Sequence, residues 1–200
     1  TDRKVKFELE IPAHDLMNAR EGDICVAEVQ PSRNLDVRKG RILQVLGRED
    51  DPRIISPMAM QAAGIRPDFP AAVIKEAEGM GIPALGDRED LRAVPLVTID
   101  GIDARDFDDA VFAEKDGAGF HLIVAIADVS YYVQPGTPLD REAYRRGNST
   151  YFPDMVVPML PEKLSNDLCS LRPHENRATL AVHLWIDENG TLKRYKFARG

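Results

Sequence analysis

Apolar and polar residues alternate in three short stretches near the start of the chain, at residues 5–11, 24–29 and 40–46. Successive side chains of a β-strand point to opposite faces, so a period of two residues predicts strands with one buried face. Glycine and aspartate between the stretches are typical of tight turns. The pattern predicts a small antiparallel β-barrel over residues 1–50.

The pattern changes over residues 51–93, where five prolines interrupt short segments of helical character. Residues 71–78 place apolar side chains at helical spacing. Pro70 stands just before them, and proline is favoured at the first position of a helix. We interpret this region as a helical connector whose apolar positions serve packing rather than ligand binding.

The alternation of apolar and polar residues returns from residue 94 onward. Three strands are predicted, at residues 94–99, 110–113 and 120–127. An acidic stretch, residues 100–109, separates the first two strands and therefore lies at a strand end. Asp128 closes the third strand and could approach the acidic stretch, although an aspartate in such a position is more often a turn former.

Residues 137–147 predict a helix with defined ends. Thr137 followed by Pro138 is typical of a helix start, and Gly147 is typical of a helix end. The helix carries three arginines, Arg141, Arg145 and Arg146. These arginines either form a solvated face or contact phosphate groups, and the residues alone leave both interpretations open.

The rest of the chain predicts a further helix over residues 164–171 and a β-hairpin from residues 177–186 and 191–197. His121 and His183 lie within apolar strands, where a histidine is more often a core residue than a catalytic one. Helices and strands arranged in this way predict an α+β protein.

Composition excludes several classes of protein. A chain of 200 residues with 44% hydrophobic content can bury a sizeable core. No stretch approaches the roughly 18 consecutive apolar residues of a membrane span, and no signal peptide is visible, so we expect a cytoplasmic protein without a membrane partner. Cys25 and Cys169 support neither a disulfide framework nor a zinc site. The net charge of −7 argues against a broad basic face for nucleic acid.

The acidic stretch carries the strongest chemical signal. Five of its ten residues are aspartates, and apolar runs flank it on both sides. Carboxylates held together in a partly dry place repel one another unless their pKa values rise or a cation neutralises them. Aspartate supplies short, hard oxygen ligands, which suit Mg²⁺ or Mn²⁺ better than Zn²⁺. We therefore predict a magnesium site for phosphoryl chemistry, with Mn²⁺ as an alternative ion.

Other types of site fit the aspartates less well. A helix-loop-helix calcium site needs glycine at its sixth position, but counting from Asp100 places Arg105 there, and counting from Asp103 places Asp108 there. A purely structural turn explains one or two aspartates but hardly the whole group. A magnesium-dependent phosphatase acting on small molecules stays open as an alternative.

Several motifs then carry a resemblance to a known family. They are residues 98–110, 124–130, 146–153, 156–166 and 168–171, the fourth containing Met-Leu-Pro-Glu-Lys-Leu-Ser-Asn. In this order they resemble the start of the catalytic domain of the ribonuclease II and ribonuclease R family, over residues 94–200. Residues 1–50 resemble the latter part of the cold-shock domain that precedes it, a barrel of the oligonucleotide-binding type.

The resemblance implies a hydrolytic, processive 3′-to-5′ exoribonuclease that releases 5′-mononucleotides from single-stranded RNA with magnesium. The family's four motif aspartates, which are catalytic and bind metal, match Asp100, Asp106, Asp108 and Asp109. Asp103 falls outside the four and is interpreted as a turn residue. The family's tyrosine that stacks on the nucleotide at the 3′ end matches Tyr151.

The resemblance also implies a modular protein. It predicts a barrel over residues 1–50, a helical connector over residues 51–93 and the first part of a mixed-sheet catalytic domain over residues 94–200. The catalytic domain is expected to continue beyond residue 200 and to be followed by an RNA-binding barrel. Without those parts the 200 residues cannot orient the phosphate, so we do not expect them to cleave RNA alone. The alternative is a catalytically silent RNA-binding or scaffold member of the same fold.

Overall fold

The computed structural model describes residues 8–31, 38–102 and 104–200 of the chain. Residue contacts divide the chain into two units. The first unit comprises Thr1–Pro67 and Tyr151–Val157, and the second comprises Asp68–Thr150 and Pro158–Gly200. The domain limits predicted at residues 50 and 93 stay predictions.

Separate helices and sheets confirm the predicted α+β class. The strands are β1 Leu9–Glu10, β2 Asp23–Val29, β3 Arg38–Arg48, β4 Asp109–Asp116, β5 Gly119–Ala127, β6 Thr150–Tyr151, β7 Val156–Val157, β8 Thr179–Ile186 and β9 Leu192–Arg199. The α-helices are α1 Ile55–Ala63, α2 Ala71–Glu78, α3 Val129–Tyr132 and α4 Pro138–Arg146. In the described parts of the chain, no helix is long and apolar enough to cross a membrane.

The first unit contains a three-stranded sheet in the order β1-β3-β2. The antiparallel pairing of β2 with β3 was predicted and is confirmed. β1 instead runs parallel to β3, so the prediction of a wholly antiparallel barrel is wrong for this pair. Residues 1–7 lie outside the described residues, so most of the strand predicted over residues 5–11 is untested.

The connector contains the predicted helix α2, with the predicted limits. Pro70 is its N-cap, with φ −57° and ψ 144°, rather than its first helical residue. The extended ψ of Pro70 turns the chain into the helix. Val73 and Ala77 are only 2% and 1% exposed, which confirms that the apolar positions of α2 serve packing.

The second unit is built on an antiparallel sheet in the order β4-β5-β8-β9. The predicted hairpin β8-β9 is confirmed, and the predicted strands β4 and β5 pair with each other in a second hairpin. Beneath one end of the sheet, α2 and α4 pack with Tyr132, Leu164 and Leu168 in an apolar cluster. A smaller cluster forms where residues 91–96 cover Ile123, Ala125 and Ala181 of the sheet.

Two predicted elements of this unit take another form. Residues 94–99 form no strand, because Pro95 has no N–H to donate and Leu91 already accepts a bond from the Val94 N–H, which bends the chain. Only Val97 pairs with the sheet, opposite Val111 of β4. The helix predicted over residues 164–171 contains a single π-helical turn, Leu164–Leu168.

A hydrogen-bonded pair of histidines lies on the sheet face beneath residues 88–96. His121 Nε2 lies 3.0 Å from His183 Nδ1, so one of these nitrogens donates a hydrogen bond and the other accepts it. Glu89 Oε1 lies 3.1 Å from His183 Nε2, and Glu114 Oε1 lies 3.1 Å from His121 Nδ1. His121 also stacks on Trp185. These contacts confirm both histidines as packed residues of the sheet.

The histidine pair predicts how stability depends on pH. Burial lowers the pKa of His183, and the nearby His121 and Lys196 lower it further against the opposing effect of Glu89. The unfolded chain therefore binds more protons than the folded chain below the ordinary histidine pKa of ~6.5. The free energy of unfolding should fall as the pH drops from 7.5 to 5.5, measured by urea denaturation.

A matched pair of variants assigns this slope. His183→Gln should flatten the dependence of the free energy of unfolding on pH in this window. His14→Gln, at a side chain that is 81% exposed, should leave it unchanged. If the free energy of unfolding of His183→Gln depends on pH as strongly as that of the wild type, the assignment of this dependence to His183 is contradicted.

Candidate functional site

The aspartates lie in a loop that is closed at its base by the backbone. The Val97 N–H donates to the Val111 carbonyl at 3.0 Å, and the Val111 N–H donates back at 2.8 Å. Residues 98–110 form the loop between these two bonds. Within it, the Ala104 N–H donates to the Gly101 carbonyl at 3.0 Å, which makes a turn. Asp103, predicted as a turn residue, lies outside the described residues.

The second half of the loop is fixed by two neighbouring parts of the chain. The Asp108 carbonyl accepts the Ala127 N–H at 2.9 Å, which ties the loop to the end of β5. The Phe107 carbonyl accepts the Leu171 N–H at 2.9 Å. The Ser170 hydroxyl bonds the loop backbone on both sides of Asp106. Residues 105–108 are therefore held by hydrogen bonds from two segments that are distant in sequence.

The four predicted aspartates lie along this loop and at the start of β4. Asp100, Asp108 and Asp109 are exposed, and Asp106 is half-buried. Partial desolvation of its carboxyl group raises the pKa of Asp108, and the negative charges of the other three aspartates raise it further. The charges of the other three carboxylates therefore act on Asp108, and a bound cation would offset them.

The donor set fits a hard divalent cation, since it consists of carboxylate oxygens alone. Among the residues that the structure describes, no three side chains of aspartate, glutamate, histidine or cysteine stand close enough together to hold a metal ion. The carboxylates would have to converge further to bind one. Magnesium or manganese binding at Asp100, Asp106, Asp108 and Asp109 thus stays a prediction.

Asp128, which closes β5 and was interpreted as more often a turn former than a site residue, has a structural role. Its side chain is 1% exposed and lies 2.9 Å from the Arg88 guanidinium and 3.3 Å from that of Arg199. The Ser130 hydroxyl donates to it at 2.7 Å. Burial alone would raise the pKa of Asp128, but the bonds from Ser130 and Arg88 and the two positive charges lower it overall.

Helix α4 is confirmed with its predicted cap residues. The Thr137 hydroxyl accepts the Asp140 N–H at 3.2 Å, and Gly147 ends the helix with φ 76°. Arg146 is 9% exposed at its side chain, and it stacks 3.7 Å above the Phe69 ring and bonds Glu142. Its predicted phosphate contact is not favoured, because the guanidinium is committed to packing within the second unit.

The other two arginines of α4 face solvent more openly. Arg145 has a side chain that is 58% exposed and pairs with Glu142. Arg141 is exposed and donates to the Gly136 carbonyl at 2.5 Å. RNA contact by Arg141 and Arg145 stays a prediction.

Tyr151, the predicted stacking residue, belongs to the first unit. Its side chain is 68% exposed at the end of β6. In the same unit, the Ser56 hydroxyl of α1 donates to the Asp154 carboxylate, and the Phe152 N–H donates to the Met155 carbonyl at 2.8 Å. The bond from Ser56 holds the segment that carries Tyr151 against α1, and the bond from Phe152 closes a turn within that segment. Stacking on a nucleotide stays a prediction.

Two buried residues behind the acidic loop had no assigned role in the sequence interpretation. Ser170, which is 0% exposed, clamps the loop backbone. Cys169 is 2% exposed, and burial with the nearby charges of Asp108 and Asp128 raises the pKa of its thiol to about 12. The thiol is therefore neutral near pH 7 and is no nucleophile. The only sequence signal for Ser170 was its place in the motif at residues 168–171.

Comparison with known proteins agrees with this arrangement. The model of the RNB domain family matches residues 88–200, and that of the cold shock domain matches residues 1–70. Ribonuclease R of Escherichia coli K12 is 46% identical over 203 residues, which cover 98% of this chain and 25% of the relative. Ribonuclease R of Thermotoga maritima is 40% identical over 207 residues, which cover 97% of this chain and 28% of the relative. The chain thus spans about a quarter of the length of these relatives.

Solved structures give the same result. Mycoplasma genitalium RNase R in complex with ribose methylated single-stranded RNA matches with a TM-score of 0.87 and 30% identity, covering 96% of this chain and 31% of that protein. Yeast Ssd1, a pseudonuclease, matches with a TM-score of 0.71 and 19% identity, covering 100% of this chain and 27% of that protein, and therefore shares the fold alone. The match to the RNB domain family extends over more than half of the chain. The chain therefore belongs to the RNB domain family, and a cold shock domain precedes its RNB domain.

Proposed function

We propose that the full-length protein is a hydrolytic, processive 3′-to-5′ exoribonuclease that degrades single-stranded RNA to 5′-mononucleotides with Mg²⁺, for which Mn²⁺ can substitute. The observation that carries the proposal is the closed acidic loop, in which partial desolvation and the charges of three neighbouring carboxylates raise the pKa of Asp108. Similarity to ribonuclease R over nearly the whole chain supports the reaction class. Because the cysteines of the described residues are free thiols, we place the reaction in the cytoplasm.

Each group of residues has a role in the proposed reaction. Asp100, Asp106, Asp108 and Asp109 hold the cation and keep its position relative to the scissile phosphate. When bound there, Mg²⁺ would supply Lewis-acid stabilisation of charge on the phosphate and would lower the pKa of water. Tyr151 offers an exposed ring for stacking on the base at the 3′ end. Arg141 and Arg145 contact backbone phosphates, which positions the RNA without selecting its sequence.

The acidic character of the chain is compatible with an RNA substrate. With a net charge of −7, general attraction to phosphate is weak, so RNA binding depends on local groups. Ribonuclease R of Escherichia coli K12 is about four times as long as this chain. We therefore propose that binding and cleavage belong to the full-length protein.

A catalytically silent RNA-binding protein is the second candidate function. The fold alone permits it, since yeast Ssd1 is a pseudonuclease that shares the fold. The presence of all four aspartates in one closed loop favours the enzyme, because a silent protein has no need for carboxylates that repel one another.

A time course on labelled nucleic acid tests the proposal. The full-length protein is incubated with Mg²⁺ and a 5′-labelled single-stranded RNA, beside a DNA of the same sequence. The expected result is a ladder that shortens from the 3′ end on RNA only, with no turnover of a simple phosphate monoester. Binding of RNA without shortening would support the silent protein, and turnover of the monoester would support a small-molecule phosphatase.

A further inference from the structure

The acidic loop has a clamp behind it, formed by one buried hydroxyl. Ser170 is 0% exposed. The Phe107 N–H donates to Ser170 Oγ at 3.1 Å, and the Ser170 hydroxyl donates to the Arg105 carbonyl at 2.9 Å. One hydroxyl therefore bonds the backbone immediately before and immediately after Asp106.

The residue after the serine completes the clamp. The Leu171 N–H donates to the Phe107 carbonyl at 2.9 Å. Three hydrogen bonds thus fix the peptide groups around Asp106, and the Ala127 N–H fixes the carbonyl of Asp108 from the sheet. Because buried polar groups must find partners, losing the hydroxyl would leave a backbone donor and a backbone acceptor of the loop unsatisfied.

Ser170 is itself held rigidly. Arg177 has a side chain that is 3% exposed, and its Nε donates to the carbonyls of Asp167 and Ser170 at 2.9 and 3.0 Å. The same guanidinium pairs with the Asp167 carboxylate at 3.1 Å. The serine therefore stands on a part of the chain that is fixed by a buried cation, rather than on a loop that could follow the aspartates.

We infer that Ser170 is a positioning residue for the metal-binding aspartates. The inference rests on the proposed function, since it assigns the clamp to the same four carboxylates. Repulsion between carboxylates opposes their convergence around a cation. The clamp opposes this repulsion by fixing the backbone of Asp106, so that less of the cation's binding energy is used to order the loop.

The inference predicts a specific defect in Ser170→Ala. Groups that orient metal ligands typically contribute a factor of roughly 10 to 100 in metal affinity. Ser170→Ala in the full-length protein should weaken Mn²⁺ binding about tenfold or more, measured without RNA from the electron paramagnetic resonance of free Mn²⁺. Deuterium uptake by a peptide that contains Phe107 should become faster. The half-saturating Mg²⁺ concentration for RNA degradation should rise, while the KM for RNA stays close to that of the wild type.

Cys169→Ala is the matched control. It removes one heavy atom from a neighbouring side chain that is also buried, and the Cys169 thiol makes no hydrogen bond to the loop among the described contacts. Cys169→Ala should lower the melting temperature but leave Mn²⁺ affinity and Phe107 exchange unchanged. Equal shifts in both variants, or no shift in Ser170→Ala, would overturn the positioning role. If the wild type binds Mn²⁺ and Ser170→Ala does so more weakly, but neither degrades RNA, the clamp stands and the proposed function fails.

Discussion

Asp108→Asn should abolish RNA degradation by the full-length protein while leaving RNA binding nearly intact. The amide keeps the size of the carboxylate but removes the negative charge from the aspartate whose pKa its three acidic neighbours raise. Losing one preorganised charged group from a catalytic site commonly reduces turnover by ~10²- to 10³-fold. Asp108→Asn should reach the upper end of this range, because it also weakens binding of the metal that the four aspartates share. Turnover of labelled RNA and equilibrium binding of the same RNA measure the two effects.

The fold should survive this substitution without loss of stability. The Asp108 backbone carbonyl, which holds the loop to β5, is unaffected by a change of side chain. Since the raised pKa means that ionised Asp108 is disfavoured in the folded state, the neutral variant should unfold at an equal or higher temperature in the absence of metal. Asp116→Asn, at the exposed far end of β4, is the control and should retain wild-type turnover. Wild-type turnover by Asp108→Asn would refute the assignment of this residue.

Asp128→Asn should destabilise the second unit by about 3–5 kcal/mol, because it leaves the buried Arg88 guanidinium without its counter-charge. Asp128 and Arg88 have side chains that are 1% and 12% exposed, so little water can replace the lost partner. Urea denaturation of wild type and variant at pH 7 measures the difference. Asp90→Asn removes an exposed partner of Arg92 and should have a much smaller effect on the free energy of unfolding, because water replaces the lost partner. Equal effects of the two substitutions would contradict the structural role of Asp128.

Acid should reduce the difference between Asp128→Asn and the wild type. The pKa of Asp128 is lowered in the folded state, so its contribution to stability is present above the unfolded pKa of ~3.9 and is lost as the pH falls through the folded value. The two unfolding free energies should therefore converge below about pH 4. A difference that stays constant down to pH 2.5 would show that packing, rather than charge, carries the effect.

Elements with local signals could be predicted from the sequence. The limits of α2 and α4 follow from proline, threonine and glycine at their ends, and the hairpins follow from alternation on both sides of a turn. The same reasoning failed over residues 94–99, where apolar residues suggested a strand. Val94 and Leu96 do pack against the sheet, but Pro95 and a bend at Val94 prevent continuous pairing. Val97 and Ile99 are 55% and 85% exposed, so apolar character predicted packing for only part of this segment and predicted its backbone conformation incorrectly.

The candidate site likewise contains some residues that the sequence predicts and others that it does not. The aspartates were identified because their density is unusual and their motif resembles that of a family. The roles of Ser170 and Arg88 were not predicted. The loop backbone that Ser170 bonds lies more than 60 positions away in the chain, and the Asp128 partner of Arg88 lies 40 positions away. Periodicity and caps report contacts within a few residues, whereas these contacts depend on how the sheet and the turn Leu164–Leu168 pack. The ion pairs of Asp128 were not predicted for the same reason, since its two arginines lie 40 and 71 positions away in the chain.

Anomalous diffraction from crystals of the full-length protein soaked in Mn²⁺ tests the metal assignment most directly. We expect an anomalous peak coordinated by carboxylate oxygens from the group Asp100, Asp106, Asp108 and Asp109, and its loss in Asp108→Asn. Mn²⁺ is the appropriate ion because it takes the same hard oxygen ligands as Mg²⁺. A protein that degrades RNA under the same Mn²⁺ conditions but shows no peak at this loop would contradict the assignment of the four aspartates as the metal site.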